Sequence, residues 1–86
     1  MSINNKNNNR FSTTDTALAA WLYSQGFDLL DVEAENFPSN FVFENSSPHL
    51  AEAVKTFQCG KAEGNITVFF LAYKKLLRMV KVGKEI

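Results

Sequence analysis

Turn and cap residues divide this sequence into patterned segments, most of which are too short to fold alone. Gly26, Pro38, the pair Ser47-Pro48 and Gly60 each interrupt a run of hydrophobic residues. Helices shorter than about 12–15 residues and isolated two-stranded hairpins are marginal in water, so these segments must pack on one another. A chain of 86 residues, 45% of them hydrophobic, suffices for one compact core. We therefore expect a single small domain.

The first segment is predicted to be a helix that begins near Ser12 and ends at about Gln25. Ser12 is positioned to accept from a free backbone N–H near Asp15, whose carboxylate suits the positive end of the helix dipole. Gly26 can adopt the left-handed conformation that ends a helix, and Phe27 can then pack back on the last turn in a Schellman motif. The apolar positions recur at helical spacing: Leu18, Trp21 and Leu22.

Two strands are predicted to follow and to pair as an antiparallel hairpin. Residues 27–35 alternate in their second half between apolar and acidic side chains. One face carries Leu30, Val32 and Ala34, and the other carries Asp31, Glu33 and Glu35. The turn residues 36–40 lead into Phe41–Glu44, which are aromatic, β-branched and acidic and suit a second strand.

The last two segments are predicted to be helices. Ser47 is the expected cap of the first, Pro48 occupies its first position, and Gly60 ends it. Its buried stripe is predicted to be Leu50, Val54 and Phe57. Asn65 is the expected cap of a final helix that reaches about Val82. The order helix, strand, strand, helix, helix predicts an α+β fold in which a hairpin packs on helices.

The composition also suggests where the folded domain begins and ends. Residues 1–10 are rich in asparagine and poor in apolar side chains, which predicts a disordered leader. The domain itself is expected over residues 11–82, and residues 83–86 are expected to form a flexible tail.

The charges are strongly separated along the chain although the net charge is zero. Residues 11–52 contain seven acidic residues and no lysine or arginine, whereas residues 55–84 contain seven basic residues and one glutamate. Opposite patches attract over a Debye length of about 8 Å at physiological salt. This separation can orient a protein partner or a second copy of the chain.

The final helix has apolar residues on both sides, which raises the question of what covers the second side. One face is predicted to contain Ile66, Phe69, Tyr73, Leu76, Leu77 and Val80. Val68, Ala72 and Met79 fall on the other side. Either the remaining helices cover these three residues, or they form the interface of a homodimer or with another protein. We take the self-interface as the prediction.

The same helix carries a basic strip that suggests an alternative function. Lys74, Lys75, Arg78 and Lys81 lie within little more than two helical turns. Such a strip could lie along a nucleic-acid backbone. Against this alternative stand the neutral total charge and the absence of a recognisable nucleic-acid-binding motif.

Candidate catalytic, cofactor and metal residues have more ordinary explanations, so we predict a non-enzymatic protein without cofactor or metal. His49 and Cys59 together are too few ligands for zinc. The acidic strand face is typical of a solvated hairpin. A single cysteine and the lack of a secretion signal suggest the cytoplasm, and the longest apolar stretch, residues 68–73, is far short of the roughly 20 residues that span a bilayer.

Several of these segments together resemble a known family. They are Phe11-Ser-Thr-Thr-Asp15, Leu18-Ala-Ala20, Leu22, Gly26, Phe41-Val-Phe43-Glu44, and a closing helix with Phe70, Ala72, Tyr73-Lys74 and Leu77. This pattern is similar to that of a small bacterial family, associated in part with phages and other mobile elements and catalogued as a domain of unknown function. The resemblance covers roughly residues 11–80. It implies a fold and an accessory role on a mobile element, but no catalytic residue, because its motifs are caps, turns and core positions.

Overall fold

The computed structural model describes residues 9–35 and 38–85, with side chains described as far as Lys81. The elements in chain order are β1 (Arg10–Thr13), α1 (Thr16–Ser24), β2 (Leu29–Glu33), β3 (Asn40–Glu44), α2 (Pro48–Gln58) and α3 (Ile66–Glu85). The strands form an antiparallel three-stranded sheet in the order β1-β3-β2. The predicted α+β class and the hairpin of β2 and β3 are therefore confirmed.

A strand precedes the first helix, and it corrects the predicted beginning of the domain. Arg10, assigned to the leader, is the first residue of β1, and Ser12 pairs with Val42 of β3. The rest of the predicted leader, residues 1–8, lies outside the described residues. Ser12 therefore does not cap α1. The sequence pattern missed β1 because a strand of four residues depends on a partner some thirty residues away along the chain.

Asp15 is the residue that caps α1. Its Oδ1 atom accepts from the backbone N–H of Ala17 at 3.0 Å and of Leu18 at 3.2 Å. The backbone of Asp15 is extended, as is usual for an N-cap, and its own N–H donates to Thr13 Oγ1 at 3.0 Å. The chain thus passes from β1 into α1 within two residues of the strand end.

The other predicted caps are confirmed. Phe27 N–H donates to the Leu22 carbonyl at 3.2 Å and Gly26 N–H to the Tyr23 carbonyl at 3.1 Å, which is the Schellman pattern. The same pattern ends α2 around Gly60, whose φ is 77°. Ser47 and Asn65 cap α2 and α3. The last helix extends to Glu85, into the predicted tail and beyond its expected end near Val82.

A β-bulge in β2 corrects the predicted inner face of that strand. Leu29 is opposite Phe43 and Asp31 is opposite Val42, so Leu30 has no partner in the register. Leu29 and Val32 pack against the core, while Leu30 is exposed. The extra residue shifts the alternation of inward and outward side chains by one position. A sequence pattern with a simple period of two does not reveal such a shift. Residues 36 and 37 of the predicted turn lie outside the described residues.

The core lies between the sheet and the helices. Phe41 and Phe43 of the central strand β3 are fully buried, as is Leu50 of α2 except for 1% of its surface. Helix α1 supplies much of the remaining core, and its Ala19 and Ala20 have no exposed surface. Small side chains permit a close approach of the neighbouring elements, and α3 is a principal packing partner of α1. This packing decides which side of α3 faces solvent.

Candidate interaction surface

Helix α3 buries one narrow stripe against the rest of the domain. Leu76 is fully buried and Ala72 is 7% exposed. Phe69, Tyr73, Met79 and Val80 flank this stripe and are partly buried against the core. The predicted apolar face is therefore correct in part, but Ile66 and Leu77, assigned to it, are exposed.

The three residues predicted to form a self-interface do not share one exposed face. Ala72 is buried within the domain and Met79 packs partly against the core, whereas Val68 is 48% exposed. The sequence leaves two possibilities for these residues, coverage by the domain or an interface with another protein. The domain covers Ala72, and it covers Met79 in part. A homodimer stays a prediction, but Ala72 is not available to contact a second copy.

The exposed side of α3 is unusually apolar for a solvent-facing helix. Six large hydrophobic side chains are exposed in the described part of the chain, and five of them are on α3. They are Ile66, Val68, Phe70, Leu71 and Leu77. Single exposed hydrophobic residues are normal on protein surfaces, but several on one helix favour an interaction site, and helical spacing places Ile66, Phe70 and Leu77 on the same side of α3.

Four residues of α3 form a continuous line that we call the seam: Ile66, Phe70, Tyr73 and Leu77. Their alternating spacing of four and three residues is that of the a and d positions of a coiled coil, so they lie in one row along the helix. Ile66 is 80% exposed and Phe70 is 58% exposed, while Tyr73 is partly buried. The seam therefore runs along the edge of the buried stripe.

An open recess of about 310 Å³ lies beside the amino-terminal end of the seam. Aromatic rings of Trp21, Phe57 and Phe69 line it together with Ile66. The Trp21 and Phe57 ring centroids are 5.8 Å apart, and the Trp21 Nε1–H donates to the Glu63 carbonyl at 3.0 Å. This hydrogen bond ties the link between α2 and α3 to α1 and fixes the tryptophan ring in the wall of the recess.

The predicted basic strip is on the solvent side of α3. Lys74, Lys75, Arg78 and Lys81 are all exposed. Lys74 Nζ is 5.6 Å from the centroid of the Phe70 ring, and Lys75 Nζ is 5.4 Å from that of Tyr23. These cation–π contacts hold both ammonium groups close to the helix surface. The strip therefore adjoins the seam at Lys74, whereas Lys75 lies beside α1.

The other candidate residues are exposed or make local hydrogen bonds. His49 and Cys59 are exposed. Asp31 accepts from the N–H of Val32 at 2.8 Å, and Glu33 accepts from the Asn40 side chain at 3.1 Å. Within the described ranges, no three histidine, cysteine, aspartate or glutamate side chains are grouped so that they could hold a metal ion. None of the described helices has the length and apolar character needed to cross a membrane.

These features define a small α+β domain with an exposed apolar and basic helix face. Residues 8–82 match the family described as a domain of unknown function (DUF5659), and this chain belongs to that family. The resemblance to a domain of unknown function is thereby confirmed. Comparison with curated proteins and with solved structures gives no match.

Proposed function

We propose that this domain is a non-enzymatic protein-interaction module that binds its partner through the exposed face of α3. The observation that supports this function is the concentration of exposed apolar side chains on that one helix. Complete burial of a side chain such as isoleucine or phenylalanine contributes about 1.5–3 kcal/mol. A partner that covered Ile66 and Phe70 would gain much of this free energy, since each is more than half exposed.

The proposal can be tested without knowing the natural partner. A library of random peptides displayed on phage is selected on the immobilised domain, and the enriched peptides are then measured against two variants. Phe70→Asp places a charge in the seam, and Ala51→Asp places the same charge at an exposed position of α2. We expect convergent peptides that lose binding to Phe70→Asp and keep binding to Ala51→Asp. Failure to enrich any peptide, or equal binding to both variants, would refute the proposed surface.

A second copy of the chain is one candidate partner, as the homodimer prediction states. Burial of Ala72 confines such an interface to exposed residues of α3, among them Val68. Light scattering at tens of micromolar protein distinguishes a monomer from a dimer, and Val68→Asp should dissociate a dimer that uses this face. A monomeric mass would remove the homodimer and leave binding to another protein open to the peptide test.

Nucleic-acid binding, in an accessory role on a mobile element, is the second candidate function that we propose. It is favoured by the common exposure of Lys74, Lys75, Arg78 and Lys81. If all four contact phosphates, a fourfold rise in salt should weaken binding to a duplex by roughly 10²-fold. Anisotropy of labelled duplex and single-stranded oligonucleotides at about 50 and 200 mM salt measures this loss. The absence of binding at the lower salt, or binding that survives replacement of the four residues by glutamine, would exclude the strip as a nucleic-acid site.

A further inference from the structure

We infer that the surface of α3 binds an amphipathic helix whose flank carries acidic residues. This inference rests on the proposed function and specifies the partner. It follows from three features that adjoin one another: the seam, the aromatic recess and the position of the lysines.

The seam is suited to another helix. Ile66, Phe70, Tyr73 and Leu77 repeat at coiled-coil spacing, so an apolar row on a second helix could pack between them. At a rise of about 1.5 Å per residue, the seam is roughly 16 Å long, which corresponds to about three turns of a partner helix. An extended strand would instead need a free sheet edge, and α3 offers none.

The recess supplies a place for one bulky side chain of that partner. Ile66 belongs both to the seam and to the wall of the recess. A helix that follows the seam would therefore pass the opening formed by Trp21, Phe57 and Phe69. Aromatic anchors in such recesses typically dominate the affinity of helix-in-groove complexes.

The lysines determine the charge of the partner. Lys74 directly follows Tyr73 of the seam, and Lys81 directly follows Val80, which continues the same row. Both lysines therefore lie on one flank of the row. The opposite flank contains Phe69 and Leu76, which face the domain. No acidic residue occurs between Ile66 and Lys81, so no opposite charge lies on α3 beside Lys74 or along the seam. A partner with glutamate or aspartate along that side would complement them.

A second copy of α3 does not meet this requirement. In an antiparallel pair of these helices like flanks adjoin, so the lysines of one copy would lie beside those of the other. In a parallel pair the flank of Lys74 and Lys81 would face the domain side of the other copy. The acidic residues of this chain are mainly on and around its strands, and the described helices contain only Glu52 of α2 and Glu85 at the end of α3. An acidic helix from a different protein therefore fits better than a second copy.

Three labelled helical peptides of about three heptads test the inference. All have leucine at positions a and d, and their flanks carry glutamate, glutamine or lysine. Binding is measured by anisotropy of the label and by fluorescence of Trp21, the single tryptophan of the chain, which lines the recess. At about 50 mM salt we expect the glutamate peptide to bind at least about tenfold more tightly than the lysine peptide, with a smaller ratio at high salt because charges are screened.

Variants of the protein separate the apolar and electrostatic parts. Phe70→Asp should abolish binding of the glutamate peptide, and Ala51→Asp should leave it unchanged. The double variant Lys74→Glu, Lys81→Glu should reverse the order of the peptides, because the flank then carries the opposite charge. Tighter binding of the lysine peptide to this variant than to the unmodified protein also shows that the variant is folded.

Each outcome has a defined meaning. Equal affinity for the glutamate and lysine peptides, or an order that the charge reversal does not change, would overturn the inference. If displayed peptides bind at Phe70 but none of the three helical peptides does, the acidic helix is refuted and the proposed function stands. If neither class binds, both fail. Oligonucleotide binding that is unaffected by Phe70→Asp, without binding of the glutamate peptide, would assign the lysines to nucleic acid instead.

Discussion

Replacement of Asp15 by alanine tests the cap that joins β1 to α1. Asp15 Oδ1 accepts from two backbone N–H groups, those of Ala17 and Leu18. Loss of an N-cap side chain costs about 1 kcal/mol, within a range of roughly 0.5–2. Loss of a carboxylate near the positive end of the helix dipole adds about 0.3–1 kcal/mol at an exposed site. We therefore expect Asp15→Ala to lower the free energy of unfolding by about 1.5 kcal/mol.

Two companion variants separate the hydrogen bonds from the charge and test the alternative cap. Asp15→Asn keeps a side-chain oxygen acceptor and loses only the charge, so it should cost about 0.5 kcal/mol. Ser12 is exposed in β1 and does not cap the helix, so Ser12→Ala should change stability by less than about 0.5 kcal/mol.

Urea denaturation followed by circular dichroism measures these differences, and thermal unfolding provides a second readout. A loss of 1 kcal/mol lowers Tm by about 4–8 °C in a domain of this size, so Asp15→Ala should lower it by roughly 6–12 °C. A Ser12→Ala variant as unstable as Asp15→Ala would refute the assignment of the cap. Equal destabilisation by Asp15→Asn and Asp15→Ala would show that the charge, and not the hydrogen bonds, stabilises the helix start.

Three further substitutions test the packing of α3 and the end of α2. Leu76→Ala removes a fully buried side chain and should cost about 2–5 kcal/mol by urea denaturation, whereas a loss below about 1 kcal/mol would contradict its burial. Phe70→Asp should lower the free energy of unfolding by at most about 1 kcal/mol in the same assay, because Phe70 is 58% exposed; a loss comparable to that of Leu76→Ala would mean that the seam belongs to the core. Gly60→Ala meets open space but keeps a φ of 77°, so backbone strain alone should cost about 1–2 kcal/mol, and an unchanged midpoint would be inconsistent with the left-handed helix end.

The sequence predicts those parts of the fold that depend on local chemistry. The Schellman motif at Gly26, the helix end at Gly60 and the caps at Ser47 and Asn65 form where they are expected, because each involves residues within one helical turn. The hairpin of β2 and β3 is also predictable, since two patterned segments are separated by a short turn.

The features that the sequence does not predict depend on contacts between distant segments. Strand β1 exists because it pairs with β3, and the bulge at Leu30 exists because β2 must present both Leu29 and Val32 to the core. The inner face of α3 depends in the same way on its packing against α1. Apolar periodicity alone marks two faces of α3 and cannot choose between them.

The choice of inner face also explains why the candidate surface was only partly predictable. The exposure of the basic strip follows from its charges, because lysine and arginine side chains are almost never fully buried unless they are paired. The sequence pattern does not reveal the seam, because it groups Ile66 and Leu77 with the buried face and Ala72 with the interface. Only the packing of α3 on α1 distinguishes these two sets.

The stability of the fold does not account for the seam. Ile66 and Phe70 keep 80% and 58% of their surface exposed, so polar residues at these positions would change the free energy of unfolding little. Polar residues at these positions would also make the exposed apolar patch smaller. An exposed apolar patch is a liability for a protein that has no partner to cover it. The seam, the recess beside it and the lysines along its flank are instead the three elements that a groove for an acidic amphipathic helix requires. This physical agreement is the reason for our proposal that the surface binds a helix, and the charge-reversal experiment is its decisive test.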